Sequence, residues 1–205
     1  VNVMKVITRM LGPIDTNCYV LINEGHALVI DPGGPFDDLD AILKSENAVL
    51  DAIALTHAHF DHIGGIPSIL EKHPVPVYVH SSEFDFFDDD KLKVSSYFGM
   101  PFRCKVSPTA LTLPKCKIGA FELEVLHTPG HTRGSCVFLI DQYMFSGDTL
   151  FMGSCGRVDM PTGSYSQMNE SLHTLKKLYI NYIVYPGHGP ASTLEHEKQW
   201  NSMME

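Results

Sequence analysis

The sequence predicts a single layered domain of mixed strands and helices, α/β or α+β in class. Three observations carry this. Apolar runs of strand length alternate with segments at helical spacing along the whole chain. The order of strands followed by a helix occurs twice, without a close sequence repeat. No shift in composition marks a linker across the 205 residues, a length for which one domain is expected. At this size roughly 70% of the unfolded surface can be buried, enough for a self-sufficient core, and elements this dense pack as layers.

In the first half, "VMKVITRM" and "NCYVLIN" read as strands, and "HALVIDPGG" as a strand running into a Gly-rich turn. "FDDLDAILKSEN" has helical spacing, with Phe36, Leu39, Ile42 and Leu43 on one face. "LDAIALT" is an apolar strand that leads straight to His57, "IPSILEKH" a short helix and "VPVYVH" another strand. Residues 81 to 106 fit neither period. They mix Phe84, Phe86, Phe87, Tyr97, Phe98 and Phe102 with the acidic run Asp88 to Asp90. Packing of short helices is the expected use of these aromatics, and a lid over a site the alternative. In the second half "FELEVLHT", "SCVFLI" and "YMFSGD" are strands, the last two joined through Asp141 and Gln142. "SYSQMNESLHTLKKLY" is an amphipathic helix with Met168, Leu172, Leu175 and Leu178 on one side. "NYIVYPGHG" is a strand ending in a turn, and "TLEHEKQWN" is helical.

Composition narrows the function classes. At 44% hydrophobic and 19% charged the chain is of globular type. A formal net charge of −9 repels phosphate backbones, so nucleic acid is not an expected partner. No apolar run approaches the ~18 residues of a membrane span. The start, Val1 to Arg9, alternates like a strand and lacks the build of a signal peptide. Cys18, Cys104, Cys116, Cys136 and Cys155 are odd in number, widely spaced and form no CxxC. They signal neither a disulfide framework nor a thiolate zinc site, so a reducing cytoplasm is the expected setting.

The densest chemistry is "THAHFDH", residues 56 to 62. His57 follows an apolar strand, and His59, two residues on, points to the same side of an extended backbone. Asp61 and His62 come as the chain turns. Further along, His131 and His188 each follow a Pro-Gly pair at a predicted strand end, and Asp148 follows Gly147 at another. Pro-Gly makes a tight turn that presents the next side chain in one direction. One ion cannot easily take all of these groups. Two adjacent ions can share them: His57, His59 and His131 on the first, Asp61, His62 and His188 on the second, Asp148 between. Three or four N/O ligands per ion, with room for water, is the arrangement of an open catalytic site. Imidazole and carboxylate suit zinc, iron or manganese; two divalent ions are expected, zinc first among them. His26, His73, His80, His127, His173 and His196 are assigned to surface or core.

These motifs also resemble a known family. "THAHFDHIGG", "TPGHTRGS", "FSGDTLF" and "PGHG" look like the successive motifs of the metallo-β-lactamase fold, over almost the whole chain. The resemblance implies a four-layer αββα sandwich with a metal centre at one edge of the two sheets, and the same seven ligands in the same roles. It makes Asp31 of "IDPGG" a residue that fixes a ligand's orientation, against the plainer reading of a turn residue before Pro. Within the fold, "GDTLFMGSCGR" is most similar to glyoxalase II, hydroxyacylglutathione hydrolase. There Arg157 would hold a glutathione carboxylate through its two-pronged guanidinium; alternatively it balances Asp159. Two departures weaken the glutathione part. The sequence continues only six residues beyond "LEHEKQ", so no separate helical C-terminal domain is expected, and His188 is followed by Gly189, Pro190 and Ala191 where glyoxalase II has Glu-Tyr after Gly-His.

The implied activity is thioester hydrolysis by a metal-activated hydroxide, with Asp61 accepting its hydrogen bond and no Ser or Cys nucleophile. Cys155 is then structural. The alternatives are a single-iron persulfide dioxygenase using His57, His131 and Asp148, and a hydrolase of lactones, β-lactams or other esters. RNA phosphodiester cleavage is disfavoured by the acidic charge. A non-catalytic metal-binding module is disfavoured by the complete ligand set.

Overall fold

The structure, a computed structural model, describes residues 3–205. Val1 and Asn2, part of the first predicted strand, lie outside the described residues. Strands β1 (Lys5–Leu11), β2 (Thr16–Asn23) and β3 (His26–Ile30) form a meander. Helix α1 (Leu39–Ser45) leads to β4 (Val49–Ala54), the one-turn helix α2 (Phe60–Ile63), α3 (Ile66–Lys72) and β5 (Val77–Val79). Two 3₁₀ helices, Ser81–Asp88 and Ser95–Phe98, precede the short edge strand β6 (Thr109–Ala110). The second half holds β7 (Lys115–Ile118), β8 (Phe121–His127), β9 (Cys136–Ile140) and β10 (Tyr143–Gly147). After them come a small hairpin of β11 (Leu150–Phe151) and β12 (Ser154–Cys155), α4 (Tyr165–Lys176), β13 (Ile183–Pro186), β14 (Ser192–Thr193) and α5 (Leu194–Trp200).

The main strands form two six-stranded sheets, ordered β1-β2-β3-β4-β5-β6 and β14-β13-β10-β9-β8-β7. Successive residues of a strand point to opposite faces, and β2 uses both. Cys18, Val20 and Ile22 pack on the outer face with Leu39, Ile42 and Leu43 of α1 and Ile66 and Ile69 of α3. Tyr19 and Leu21 face the other sheet, where Leu123, Val125, Phe138 and Phe145 meet them. The second sheet repeats the pattern: Val137, Leu139, Met144 and Val184 turn outward onto Met168, Leu172 and Leu175 of α4 and Leu194 of α5. The layers therefore run helix, sheet, sheet, helix around three apolar cores, the αββα sandwich expected. A sheet covered on both sides needs apolar residues at every position, which is why β2 reads as a continuous apolar run.

Several elements differ from the sequence reading. α1 begins at Leu39, inside the expected segment, and Phe36 packs beside it from the preceding loop. Leu178 lies beyond the end of α4 yet still packs on the same core. The pairing of β4 stops at Ala54, although Leu55 N–H still donates to Tyr78 O at 2.8 Å. The aromatics of residues 81 to 106 divide: Phe86 and Phe87 are buried and Phe102 packs on the same core, whereas Phe84, Tyr97 and Phe98 are exposed.

Strand direction decides where the connecting loops gather. β3, β4 and β5 are mutually parallel, and so are β10 and β13. β8 is antiparallel to β9, which is antiparallel to β10, so β8 runs with β10. The carboxyl ends of these strands share one edge of the sandwich.

Phe138 is fully buried between the sheets. Replacing it with Ala is expected to cost about 3–5 kcal/mol, whereas exposed Tyr165 replaced with Ala stays within about 0.5 kcal/mol. Denaturant unfolding of both variants checks the assignment of the inter-sheet core.

Candidate metal centre

The candidate ligands cluster just past the strand ends at this edge. His57 follows β4, His131 follows β8, Asp148 comes directly after β10, and His188 follows β13. His59 immediately precedes α2 without a side-chain capping bond, and Asp61 and His62 lie on that single turn. The chain thus turns between the two His of one pair and the Asp-His of the other, as the spacing implied.

The structure gathers these side chains into two groups able to hold a metal ion. One is His57, His59 and His131; the other is Asp61, His62, Asp148 and His188, and within each the ligand atoms lie within 4.8 Å of one another. Asp148 lies between them. Its Oδ2 is 3.9 Å from His57 Nε2, 3.3 Å from His131 Nε2 and 3.5 Å from His188 Nε2, and its Oδ1 is 3.2 Å from His62 Nε2. Asp61 Oδ2 is 3.0 Å from His188 Nε2 and 3.4 Å from His62 Nε2.

The residues fit divalent ions on one direct ground. Nε2 of His57, His59, His62 and His131, and Oδ1 of Asp148, are buried without a hydrogen-bond partner. An unpaired buried polar group costs about 1–3 kcal/mol. Several of them aimed at one space need a cation to satisfy them. Nitrogen and oxygen donors in this mixture suit zinc, iron and manganese alike.

The protein's own electrostatics differ across the centre. Burial, with the neighbouring His62, holds His57 well below the ordinary histidine value, and burial beside His131 takes His59 down to about 3. Both are therefore neutral, as metal ligation requires. At His62 burial acts against the charge, but Asp148, Asp61 and Asp31 outweigh it and hold the group well above its ordinary value. Burial likewise opposes ionisation of Asp148, and His62 and His188 reverse the effect, keeping it a carboxylate.

A ring of hydrogen bonds aims the ligands. Asp31 Oδ2 meets His62 Nδ1 at 3.0 Å and accepts from Thr56 Oγ1 at 2.6 Å, while its Oδ1 accepts from Thr56 N–H at 2.9 Å. Asp31 thus bonds both the candidate ligand His62 and the start of the loop that carries His57. His131 Nδ1 lies 2.7 Å from Arg157 O, so it donates there and leaves Nε2 free for a metal. Gly187 lets the His188 turn come this close, because a Cβ there would overlap Asp148 Oδ1 and lie 2.8 Å from His62 Cε1.

Two positioning residues escaped the sequence reading. Asn17 of β2 reaches across to the other sheet, donating from Nδ2 to Pro186 O at 3.1 Å and to Gly189 O at 2.8 Å, on either side of His188. Glu83, fully buried on the first 3₁₀ helix, accepts from Ala58 N–H at 2.6 Å, from Gly134 N–H at 3.2 Å and from Thr132 Oγ1. One carboxylate therefore ties the His57–His59 loop to the loop of His131. Burial raises Glu83 to about 7 despite those donors. Arg157 lines the site, but its guanidinium forks onto Asp159, Nε to Oδ1 at 2.6 Å and Nη2 to Oδ2 at 2.8 Å. Cys155 is half-buried on β12, its thiol pushed up by burial and unsuited to act as a nucleophile.

Glu83→Gln removes one acceptor from three donors. It is expected to cost about 1–3 kcal/mol of unfolding free energy, since a buried N–H or O–H is left unpaired. Elemental analysis of the purified variant should also show less bound metal than wild type; unchanged stability and metal content would remove Glu83 from the scaffold of the centre.

Comparison with known proteins agrees with this geometry. The Metallo-beta-lactamase superfamily model matches residues 11–188, which include all seven candidate ligands. A probable metallo-hydrolase, YqgX of Bacillus subtilis, is 35% identical over 98% of this chain and 98% of its own. Hydroxyacylglutathione hydrolase GloC of Haemophilus influenzae is 30% identical over 92% of both chains. Among solved structures, the BLEG-1 B3 metallo-beta-lactamase superposes with a TM-score of 0.92 at 38% identity, covering 98% of this chain and 99% of that one. The chain belongs to the metallo-beta-lactamase superfamily, and with its metal-binding residue groups it is a metal-dependent hydrolase.

Proposed function

We propose that the protein hydrolyses thioesters of small molecules at a centre of two divalent metal ions. The observation that carries this is the set of orphaned, buried ligand atoms in two adjoining groups, with Asp148 between them, on the floor of an open pocket. His57, His59 and His131 would hold one ion and Asp61, His62 and His188 the other, with Asp148 shared. Zinc is the first expectation, with iron or manganese suited to the same donors. The likeness to GloC, a hydroxyacylglutathione hydrolase, supports a thioester as the substrate class.

When bound, such ions supply Lewis acidity, which acidifies water toward a pKa of about 7 and polarises a carbonyl oxygen. The protein's residues do the aiming. Thr16 Oγ1 donates to Asp61 Oδ2 at 3.2 Å, which holds Asp61 in one orientation. Asp61 would accept the hydrogen bond of the attacking water and direct it at the acyl carbon. In the metal-free protein His62, turned by Asp31, keeps Asp148 and Asp61 ionised; a bound ion would take over that charge. Neither a serine nor a cysteine is required as nucleophile, and the raised thiol of Cys155 fits that.

The single-iron reading through His57, His131 and Asp148 leaves the buried Nε2 atoms of His59 and His62 without a purpose. Hydrolysis of lactones or β-lactams is the second reading, and the likeness to BLEG-1 favours it. Five free cysteines, four of them buried, accord with a cytoplasmic setting, and no helix among the described residues is long and apolar enough to cross a membrane.

Elemental analysis of protein purified without added metal should find about two ions per chain, as the two donor groups require. The same preparation should release thiol from S-D-lactoylglutathione or a simpler thioester, and chelation should abolish the release. One iron per chain, with oxygen uptake on a persulfide, would overturn the two-metal hydrolase. Asp31→Asn should weaken metal retention about 10–100-fold without unfolding the protein, as measured by competition with a chelator.

A further inference from the structure

The walls of the pocket differ in character from its floor. A cavity of about 290 Å³ opens over His59, Asp61, His131, Asp148 and His188. Above them it is lined by Ile14, Val94, Phe98, Phe151 and Met160, with Arg157 the cationic side chain among the described lining residues. That guanidinium already forks onto Asp159, and the pair is exposed, so it presents a neutral surface rather than a free cation. The neighbouring cations are also engaged. Arg133 is committed to Asp85 and Ser82 O, and Lys93 is buried with its Nζ 2.9 Å from Asp90 Oδ1 and 3.1 Å from Phe87 O. Glutathione carries two carboxylates, and this pocket offers them no unpaired cation while the chain as a whole carries −9.

One wall residue is held at a cost. Val94 is buried and adopts φ +59, a left-handed conformation that is a genuine outlier for a β-branched residue. Such strain persists only where the surroundings over-determine it. Here they do: the adjacent Lys93 is anchored through its buried Nζ, and its carbonyl accepts from Phe60 N–H at 2.8 Å, at the start of the helix bearing Asp61 and His62. Val94 is thereby fixed in the wall relative to the candidate ligands. Phe98, four residues on, packs against Phe60 with ring centroids 5.1 Å apart and continues the same apolar surface. An apolar wall clamped this way selects for apolar contact.

Resting on the thioesterase reading, we propose that the substrate of this site is a thioester with an apolar alkyl or aryl acyl chain, seated between Val94, Phe98, Phe151 and Met160, and that glutathione is not its recognised carrier. The wall residues determine specificity; the ligands beneath them supply the chemistry. Hydrolysis adds the elements of water across the C–S bond, giving a carboxylate and a thiol, and needs no further reactant.

The test compares acetyl, butanoyl and hexanoyl thioesters of N-acetylcysteamine, an uncharged carrier, with S-D-lactoylglutathione, using metal-loaded wild-type protein. The expected kcat/KM rises along the series by about threefold or more per methylene, and the hexanoyl ester exceeds lactoylglutathione. Val94→Gly is the second arm, because φ +59 suits glycine and the variant keeps its fold; it should flatten the chain-length dependence. Asp159→Asn frees Arg157 and should improve lactoylglutathione relative to the neutral esters. A readout independent of turnover is calorimetric binding of the inert S-hexyl thioether of N-acetylcysteamine, expected with a negative heat-capacity change and weakened by Val94→Gly. A flat or falling chain-length profile, or a preference for lactoylglutathione, overturns the inference and leaves the thioesterase standing. No hydrolysis of any thioester by protein that retains its metals overturns both.

Discussion

The constraint on which the rest of the structure depends is the burial of Asp148 among imidazoles. Its carboxylate faces His57, His62, His131 and His188 from the end of β10, and most of these groups are nearly or fully withdrawn from water. Taking that much polarity out of water opposes folding. The sandwich offsets the opposition by surrounding the site with three apolar cores, and it places the polar groups only where strands end. Loops past strand ends can aim side chains while the strands keep their bases rigid.

Precision then comes from groups that never touch the reacting atoms. Asn17, Glu83 and Asp31 belong to three segments of the first sheet's half, and each ties down a loop that carries ligands. Asn17 and Glu83 act on backbone, so they hold the loops whether or not the side chains are ligated. Asp31 acts on a ligand ring and also shapes the charge of the centre: it helps keep His62 protonated in the metal-free protein, which offsets the charges of Asp61 and Asp148. A metal ion entering there displaces that proton, so its uptake is coupled to pH. The centre is in this sense balanced for positive charge before any ion arrives.

Much of this was legible in the sequence, for identifiable reasons. His57, His59, Asp61 and His62 stand out because a local run of ligands has no cheap structural explanation. His131 and His188 stand out because Pro-Gly turns leave the following side chain little freedom. The helix α4 was legible because Met168, Leu172 and Leu175 keep a 3.6-residue period against one core. Glu83 was not, because the 3₁₀ helix that carries it has three residues per turn and shows no such period. Its neighbours in sequence, Phe84 to Asp88, mix aromatics with acids, and only tertiary packing shows that Glu83 turns inward. β7 escaped notice because four residues alternating Lys and apolar are too short to rise above a loop. The pairing of Arg157 with Asp159 was one of two readings open to the sequence; a side chain two residues away competes with any distant ligand, and sequence spacing alone does not decide that competition.

Floor and walls of the site therefore come from different parts of the fold and answer to different physics. The floor is drawn from strand ends, where a small displacement of one ligand alters the whole donor set, so its residues must agree with one another. The walls come from the 3₁₀ segment around Val94 and Phe98, the β11 residue Phe151, the β1–β2 turn at Ile14 and the loop at Met160. These pieces face the cavity without belonging to the donor set, so each can change without dismantling the centre. The strain at Val94 is the exception that shows the coupling. Its anchor, the Lys93 carbonyl, is bonded to the first residue of the helix bearing Asp61 and His62, so the wall and the floor share one hydrogen bond. A residue in an unfavourable conformation, clamped to the helix of Asp61 and His62 and facing the cavity, would link the proposed choice of substrate to the position of the candidate ligands.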